Sequence, residues 1–276
     1  MKKIPLEDTF ADIIAKAQRG LGISDSELAE QARVTAADVR KLREGKLDEV
    51  ALYRVAPILD LAARPLVELA TGKWTPPDIA LPHGAAQFNT TFGDMTVNSY
   101  LVWDPKTKRG IAFDTGADAG EMLSTARNEQ VKIELILFTH SHADHIAAFG
   151  ELRSATGAPA YIGERESVEG AEKLPEGKRL TVGGLEIETL LTWGHSEGAL
   201  TYFVRGLGVP LAIAGDSIFA GSMGGGAVSY RDALQNNLEK ILVLPNETII
   251  CPGHGPLTTV AKERAENPFF ASKIKT

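Results

Sequence analysis

The chain has 276 residues, 43% of them apolar and 24% charged, with a mean hydropathy of −0.07, which allows one large domain, or a large and a small one, around a well-filled core. The formal charge of −7 arises wholly beyond residue 73: basic and acidic residues balance at 12 each before that point and stand at 17 against 24 after it, which argues against a general nucleic-acid role for the larger part. No apolar run reaches the roughly 18 residues of a membrane span, Met1-Lys2-Lys3 leads into mixed charge, and the single Cys251 allows no internal disulfide; the expectation is a cytoplasmic protein with no membrane partner.

Residues 6 to about 20 place Leu6, Phe10, Ile13, Ile14 and Ala17 at helical spacing and stop at Gly20 and Gly22. Ser24-Asp-Ser-Glu27 forms a capping box for a second helix, and Thr35 caps a third that closes at Gly45. Pro57 is expected to kink or end the fourth helix, and a fifth runs from Pro65, read as its first position, to Gly72. Two short capped helices across the Arg33-Val34 turn resemble the helix-turn-helix of the Cro/repressor family. That resemblance implies a recognition helix offering Arg40, Lys41 and Arg43 to DNA. The module's zero net charge favours instead a regulatory or dimerising role, with homo-oligomers left open.

Residues 1–73 thus read as a small all-α domain and 74–84, with Pro76, Pro77 and Pro82, as a stiff linker carrying His83 on its surface. From residue 85 the pattern turns to strands, at 86–92, 97–103 and 109–113, followed by a helix near 118–129 and a further strand ending before His140. A helix follows to about Thr156, then strand, short helix and turn over 158–182. Strands at 185–191, 200–204 and 210–214 come next, then the glycine-rich Gly221-Ser-Met-Gly224-Gly225-Gly226, a helix over 230–241, a strand at 247–251 and a last helix. The glycine stretch has the wrong spacing for a phosphate loop and is read as backbone that closely approaches a pocket. Cys251 is read as a small buried hydrophobe.

Leu135-Ile-Leu-Phe-Thr-His140-Ser-His142-Ala-Asp144-His145 organises the chain: a buried strand delivers polar side chains to a sheet edge. In extended backbone His140 and His142 point the same way, while Asp144 and His145 diverge, so one segment can serve two metal ions. Five of the six histidines, His140, His142, His145, His195 and His254, stand in such turn-rich settings.

His-x-His-x-Asp-His is the metal motif of the metallo-β-lactamase superfamily, which residues 85 to 270 resemble; Gly194-His195, Gly215-Asp216 and Pro252-Gly253-His254 follow in the expected order. The resemblance implies an α+β fold, an αββα sandwich over residues 85–276 behind the small helical domain. It implies that His140, His142 and His195 hold one ion, that Asp144, His145 and His254 hold the other, and that Asp216 bridges them. Asp144 and Asp216 are then the carboxylates of the catalytic centre, and Asp114, in Asp114-Thr-Gly, supports the metal loop from behind. Imidazole and carboxylate donors suit two divalent ions, zinc first, with iron or manganese as alternatives. A metal-activated hydroxide would be the nucleophile.

Gly215-Asp-Ser-Ile-Phe219 and the ending from Pro252 to Phe269 resemble short glyoxalase II-type hydrolases, implying a small thioester or ester substrate such as S-lactoylglutathione. This chain has Gly194-His-Ser-Glu-Gly198 where those relatives commonly have Gly-His-Thr-Pro-Gly, and only glycine near 225 where they carry arginine. A persulfide dioxygenase with one iron on His140, His195 and Asp216 is the alternative within the fold, and a DNA-binding regulator with a metabolite-sensing domain the alternative outside it.

Overall fold

The computed structural model describes residues 4–274. Five helices come first: α1 (Phe10–Leu21), α2 (Asp25–Ala32), α3 (Ala36–Arg43), α4 (Glu49–Ile58) and α5 (Ala63–Ala70). Capping boxes start the first three, at Thr9/Asp12, Ser24/Glu27 and Thr35/Asp38. The first helix begins later than its apolar spacing suggests, because Thr9 takes the cap and Leu6 stays outside. Pro57 lies in the last turn of α4, where it ends the helix. Pro65 sits two positions inside α5, whose first turn has no side-chain cap.

The sandwich is built from two six-stranded sheets. One holds β1 (Ala85–Phe92), β2 (Met95–Trp103), β3 (Arg109–Phe113), β4 (Lys132–Leu137), β5 (Ala160–Gly163) and β6 (Ala171–Leu174) in that order. The first three strands pair antiparallel and the last four parallel. The other sheet runs from β7 (Arg179–Val182) through β8 (Leu185–Leu191), β9 (Leu200–Arg205), β10 (Leu211–Gly215) and β13 (Ile249–Pro252) to β14 (Thr258–Thr259). A two-stranded ribbon, β11 (Ile218–Phe219) and β12 (Ser222–Met223), follows β10. Between the sheets, Tyr100, Val102, Phe113 and Leu137 meet Leu185, Tyr202, Ile213 and Cys251 in one buried core.

The second face of each sheet is covered by helices, as an αββα sandwich requires. On the first sheet, α6 (Gly120–Asn128), α7 (Ala143–Ile146) and α8 (Phe149–Thr156) enclose Leu101, Ile136 and Phe138 with Met122 and Leu152. On the second, α9 (Tyr230–Asn236), a single π-helical turn over Asn237–Ile241, and α10 (Val260–Glu266) cover Ala212, Ala214 and Ile250. The same apolar cluster takes in Ile13, Ile14, Leu28, Leu42, Leu52 and Leu66 of the N-terminal helices. Burial of that size joins the helical module to the sandwich through a continuous core, since each fully buried aliphatic side chain contributes about 1.5–3 kcal/mol.

Residues 74–84 carry no regular structure, as their prolines suggest, yet Trp74 is 5% exposed and Ile79 and Leu81 pack on the inter-sheet core. His83 lies edge-on to Trp103, with ring centres 6.3 Å apart. Two expectations need correction. The stretch 158–182 holds three short strands and no helix, because β5 and β6 extend the first sheet from β4 and β7 pairs antiparallel with β8 of the second, and this pairing outweighs local helix propensity. The expected single helix at 230–241 changes to a π turn at Asn237. No helix among the described residues is long and apolar enough to cross a membrane.

Candidate metal centre

Every histidine of the centre lies beyond the C-terminal end of a strand: His140, His142 and His145 after β4, His195 after β8 and His254 after β13. Asp216 follows β10, and Asp114 follows β3. Donor atoms of His140, His142, His195 and Asp216 fall within 4.8 Å of one another, and those of Asp144, His145 and His254 form a second set as tight. His145 Nε2 stands 3.3 Å from Asp216 Oδ1, whereas His195 Nε2 and His254 Nε2 both stand 3.4 Å from Asp216 Oδ2. Asp216 therefore lies between the two sets and faces both.

The outer nitrogen of four imidazoles is already occupied. His145 Nδ1 donates to Asp114 Oδ2 at 2.8 Å, His195 Nδ1 to the Gly225 carbonyl at 3.0 Å, and His254 Nδ1 to the Thr96 carbonyl at 2.7 Å. Thr139 donates its hydroxyl proton to Asp114 Oδ2, so its oxygen accepts from His140 Nδ1 at 3.0 Å. These partners turn Nε2 of each ring toward the centre. His142 turns the opposite nitrogen inward, with Nδ1 3.1 Å from His195 Nε2.

Buried polar atoms are nearly always partnered, yet His140 Nε2, His145 Nε2 and Asp216 Oδ1 are buried and meet no hydrogen-bonding partner. Three inward-facing atoms left unsatisfied in one spot, all of types that bind divalent ions, are what a metal centre supplies with its missing partner.

The electrostatics follow from the same packing. Burial, reinforced by the neighbouring imidazoles, holds His140 well below its ordinary value. Burial also lowers His145 and His254, but Asp216 outweighs it, with Asp114 aiding at His145 and Asp144 at His254, and their values rise to about 10 and about 11. Burial disfavours the Asp216 carboxylate, but His145 and His254 prevail and hold it well below the usual range. Without an ion the centre thus holds protons where an ion would sit.

Small residues let the loops close. A Cβ on Gly253 would collide with Asp216 Oδ1 and with the His145 ring, and one on Gly224 with the Asp216 carbonyl. The glycine-rich stretch is therefore the close-approach backbone that its composition suggested. Asn98 donates to the carbonyls of Pro252 and Gly255, and Tyr100 to that of Pro252, which fixes the His254 loop.

Several supports had no signature in the sequence. Glu166, 6% exposed, accepts from Ser141 Oγ and from the Gly198 amide, tying the His140–His142 loop to the His195 loop. Asn236 donates to the Trp193 carbonyl and Asn237 to the Ser217 carbonyl, so the start of the π turn grips the chain beside His195 and beside Asp216. Cys251 is fully buried, and burial pushes its thiol well above the usual value, which removes it as a nucleophile. Arg40, Lys41 and Arg43 are exposed on α3; Lys41 lies 3.6 Å from Asp38, and Arg43 pairs with Asp25 at 3.0 Å.

The family model described as the metallo-beta-lactamase superfamily matches residues 92–254, a span that holds all seven residues of the two donor sets. The chain belongs to the metallo-beta-lactamase superfamily. Among its relatives is the probable metallo-hydrolase YqgX of Bacillus subtilis (strain 168), 32% identical over an alignment of 205 residues, with 64% of this chain and 94% of the relative covered. A second is the hydroxyacylglutathione hydrolase GloC of Haemophilus influenzae, 26% identical over 201 residues, 64% of this chain and 93% of that one. Of solved structures, the BLEG-1 B3 metallo-beta-lactamase superposes with a TM-score of 0.59 at 29% identity, covering 67% of this superfamily member and 99% of its own chain.

Proposed function

We propose that this protein is a dinuclear metal-dependent hydrolase of a thioester or related small ester. The observation that carries the reading is Asp216, whose Oδ2 lies 3.4 Å from His195 Nε2 of one donor set and 3.4 Å from His254 Nε2 of the other, beside the buried, partnerless nitrogens of His140 and His145. His140, His142 and His195 would hold one ion, Asp144, His145 and His254 the other, and Asp216 both. Two divalent ions, with zinc the first candidate and iron or manganese the others, would polarise a carbonyl and bring a shared water from a pKa of roughly 15.7 toward 7.

The chain's own groups orient that chemistry. Asp114, Thr139, Gly225 and Thr96 fix the tautomers, and Asp114 acts from behind His145. Asp144, with its side chain 13% exposed, is ionised beside His254 and His145 despite partial burial, which suits it to ligate an ion beside them. No serine or cysteine nucleophile is required. A thiolate leaves without a strong general acid, which suits this centre, and the relative named hydroxyacylglutathione hydrolase supports the thioester class.

The test is elemental analysis of protein purified without added metal, alongside turnover of S-lactoylglutathione. Two ions per chain with thioester hydrolysis, both lost in His140→Ala, is the expected result. One iron per chain, with oxygen uptake on glutathione persulfide and no hydrolysis, would overturn it.

A further inference from the structure

The segment before α1 reaches the metal centre. Glu7 Oε2 lies 4.0 Å from His254 Nδ1, the nitrogen opposite the one that faces Asp144 and Asp216, and this is the ion pair Glu7 makes among the described residues. The backbone is held there from both sides. Asp8, 8% exposed, accepts from Ser222 Oγ and from Lys16 Nζ, and Lys16 also donates to the Met223 carbonyl at 2.9 Å. Lys16 Nζ sits 5.1 Å from the centre of the Phe219 ring, which meets the His254 ring edge-on at 5.8 Å. Gly255, at φ +75°, leaves the notch into which residues 5 to 7 fit; a Cβ there would come within 3.2 Å of the Glu7 nitrogen. Residues 5–16 therefore touch both the His254 loop and the β11–β12 ribbon that follows Asp216.

We propose that Glu7 is a positioning residue for His254, and that the N-terminal segment is thereby a working part of the metal centre. The inference rests on the dinuclear reading above. The Thr96 carbonyl takes the His254 Nδ1 proton, and the Glu7 carboxylate adds negative charge on that same side. An imidazole so flanked is oriented and is a stronger donor at Nε2. At 4.0 Å the carboxylate acts through its field rather than as a hydrogen-bond acceptor. The device is additional to the family pattern: the superfamily match begins at residue 92, and 64% of this chain already accounts for 94% of the Bacillus relative.

The experiment compares the full chain with Glu7→Gln, His254→Ala and the double variant, each loaded with Zn²⁺ and titrated against a chelator, with the melting temperature of the metal-free form as a second readout. Wild type is expected to take two ions. Glu7→Gln should melt like wild type without metal and bind one of the two ions about tenfold more weakly, the other unchanged. In the His254→Ala background the same substitution should change nothing. Wild-type affinity for both ions in Glu7→Gln, or a weakening that persists in full without His254, would overturn the proposal. A wild-type chain that binds no second ion would overturn the dinuclear reading itself, before any variant is compared.

Discussion

Glu263 offers a direct measure of what burial costs a charge in this fold. It is fully buried on α10, where Oε2 accepts from the Gly221 amide at 3.0 Å and from Asn267 Nδ2 at 2.7 Å, while Oε1 accepts from Thr258 Oγ1 at 2.6 Å. Burial outweighs these three bonds and the nearby Lys262, pushing the carboxyl from 4.5 up to about 7. At about 1.4 kcal/mol for each pH unit of displacement, the ionised form costs the folded state about 3 kcal/mol. Because the folded value lies above the unfolded one, this penalty is absent below pH 4.5, where the group is protonated in both states, and stability is lost as pH rises from there through about 7. Glu263→Gln should remove the dependence. Its amide oxygen can take both N–H donors, and its NH₂ can donate to Thr258, whose hydroxyl turns to accept. Urea unfolding of metal-free protein should find the two chains close in stability near pH 5 and the variant ahead by about 2–3 kcal/mol near pH 8. The histidines of the centre titrate in both chains and cancel in the difference. A difference that stays flat across that range would refute the reasoning.

Asp114→Asn keeps the shape behind His145 but removes the charge that its Nδ1 faces, and metal affinity should fall by about 10–100-fold while the fold survives; chelator competition reads the first and circular dichroism the second. Since His145 and His254 sit at about 10 and about 11 without metal, both carry protons near neutrality that an ion must displace. Calorimetry in buffers of different ionisation enthalpy should therefore show proton release on Zn²⁺ binding, with affinity falling as pH falls.

The sequence was most readable where function demands local pattern. His140, His142, Asp144 and His145 lie within one short loop, and the strand before them is apolar enough to be recognised alone. His195, Asp216 and His254 each announce themselves through a neighbouring glycine that the structure shows to be needed for close approach, as at Gly253. The capped helices were equally plain, because a capping box is a short-range contract between residues three apart. Glu7 and Glu166 were not readable: each is an ordinary acid in an ordinary stretch, and its place depends on which distant loops the fold brings beside it. The same holds for the strands at 160–163 and 171–174, which pair with β4 and with each other across intervening segments, and for the π turn, set by the carbonyls that Asn236 and Asn237 must reach. Trp74, Ile79 and Leu81 looked like spacer residues because the surfaces they cover are far away in sequence.

The seven donors do not come from one sheet. His140, His142, Asp144 and His145 follow a strand of the first sheet, while His195, Asp216 and His254 follow strands of the second. The two leaves are thus bound along one margin like pages at a spine. A half-assembled chain, with only its first leaf in place, offers a loose set of three imidazoles and a carboxylate and lacks the shared Asp216. An ion would be held at full strength only after the leaves have met, so that occupancy of the centre would report the completion of the fold.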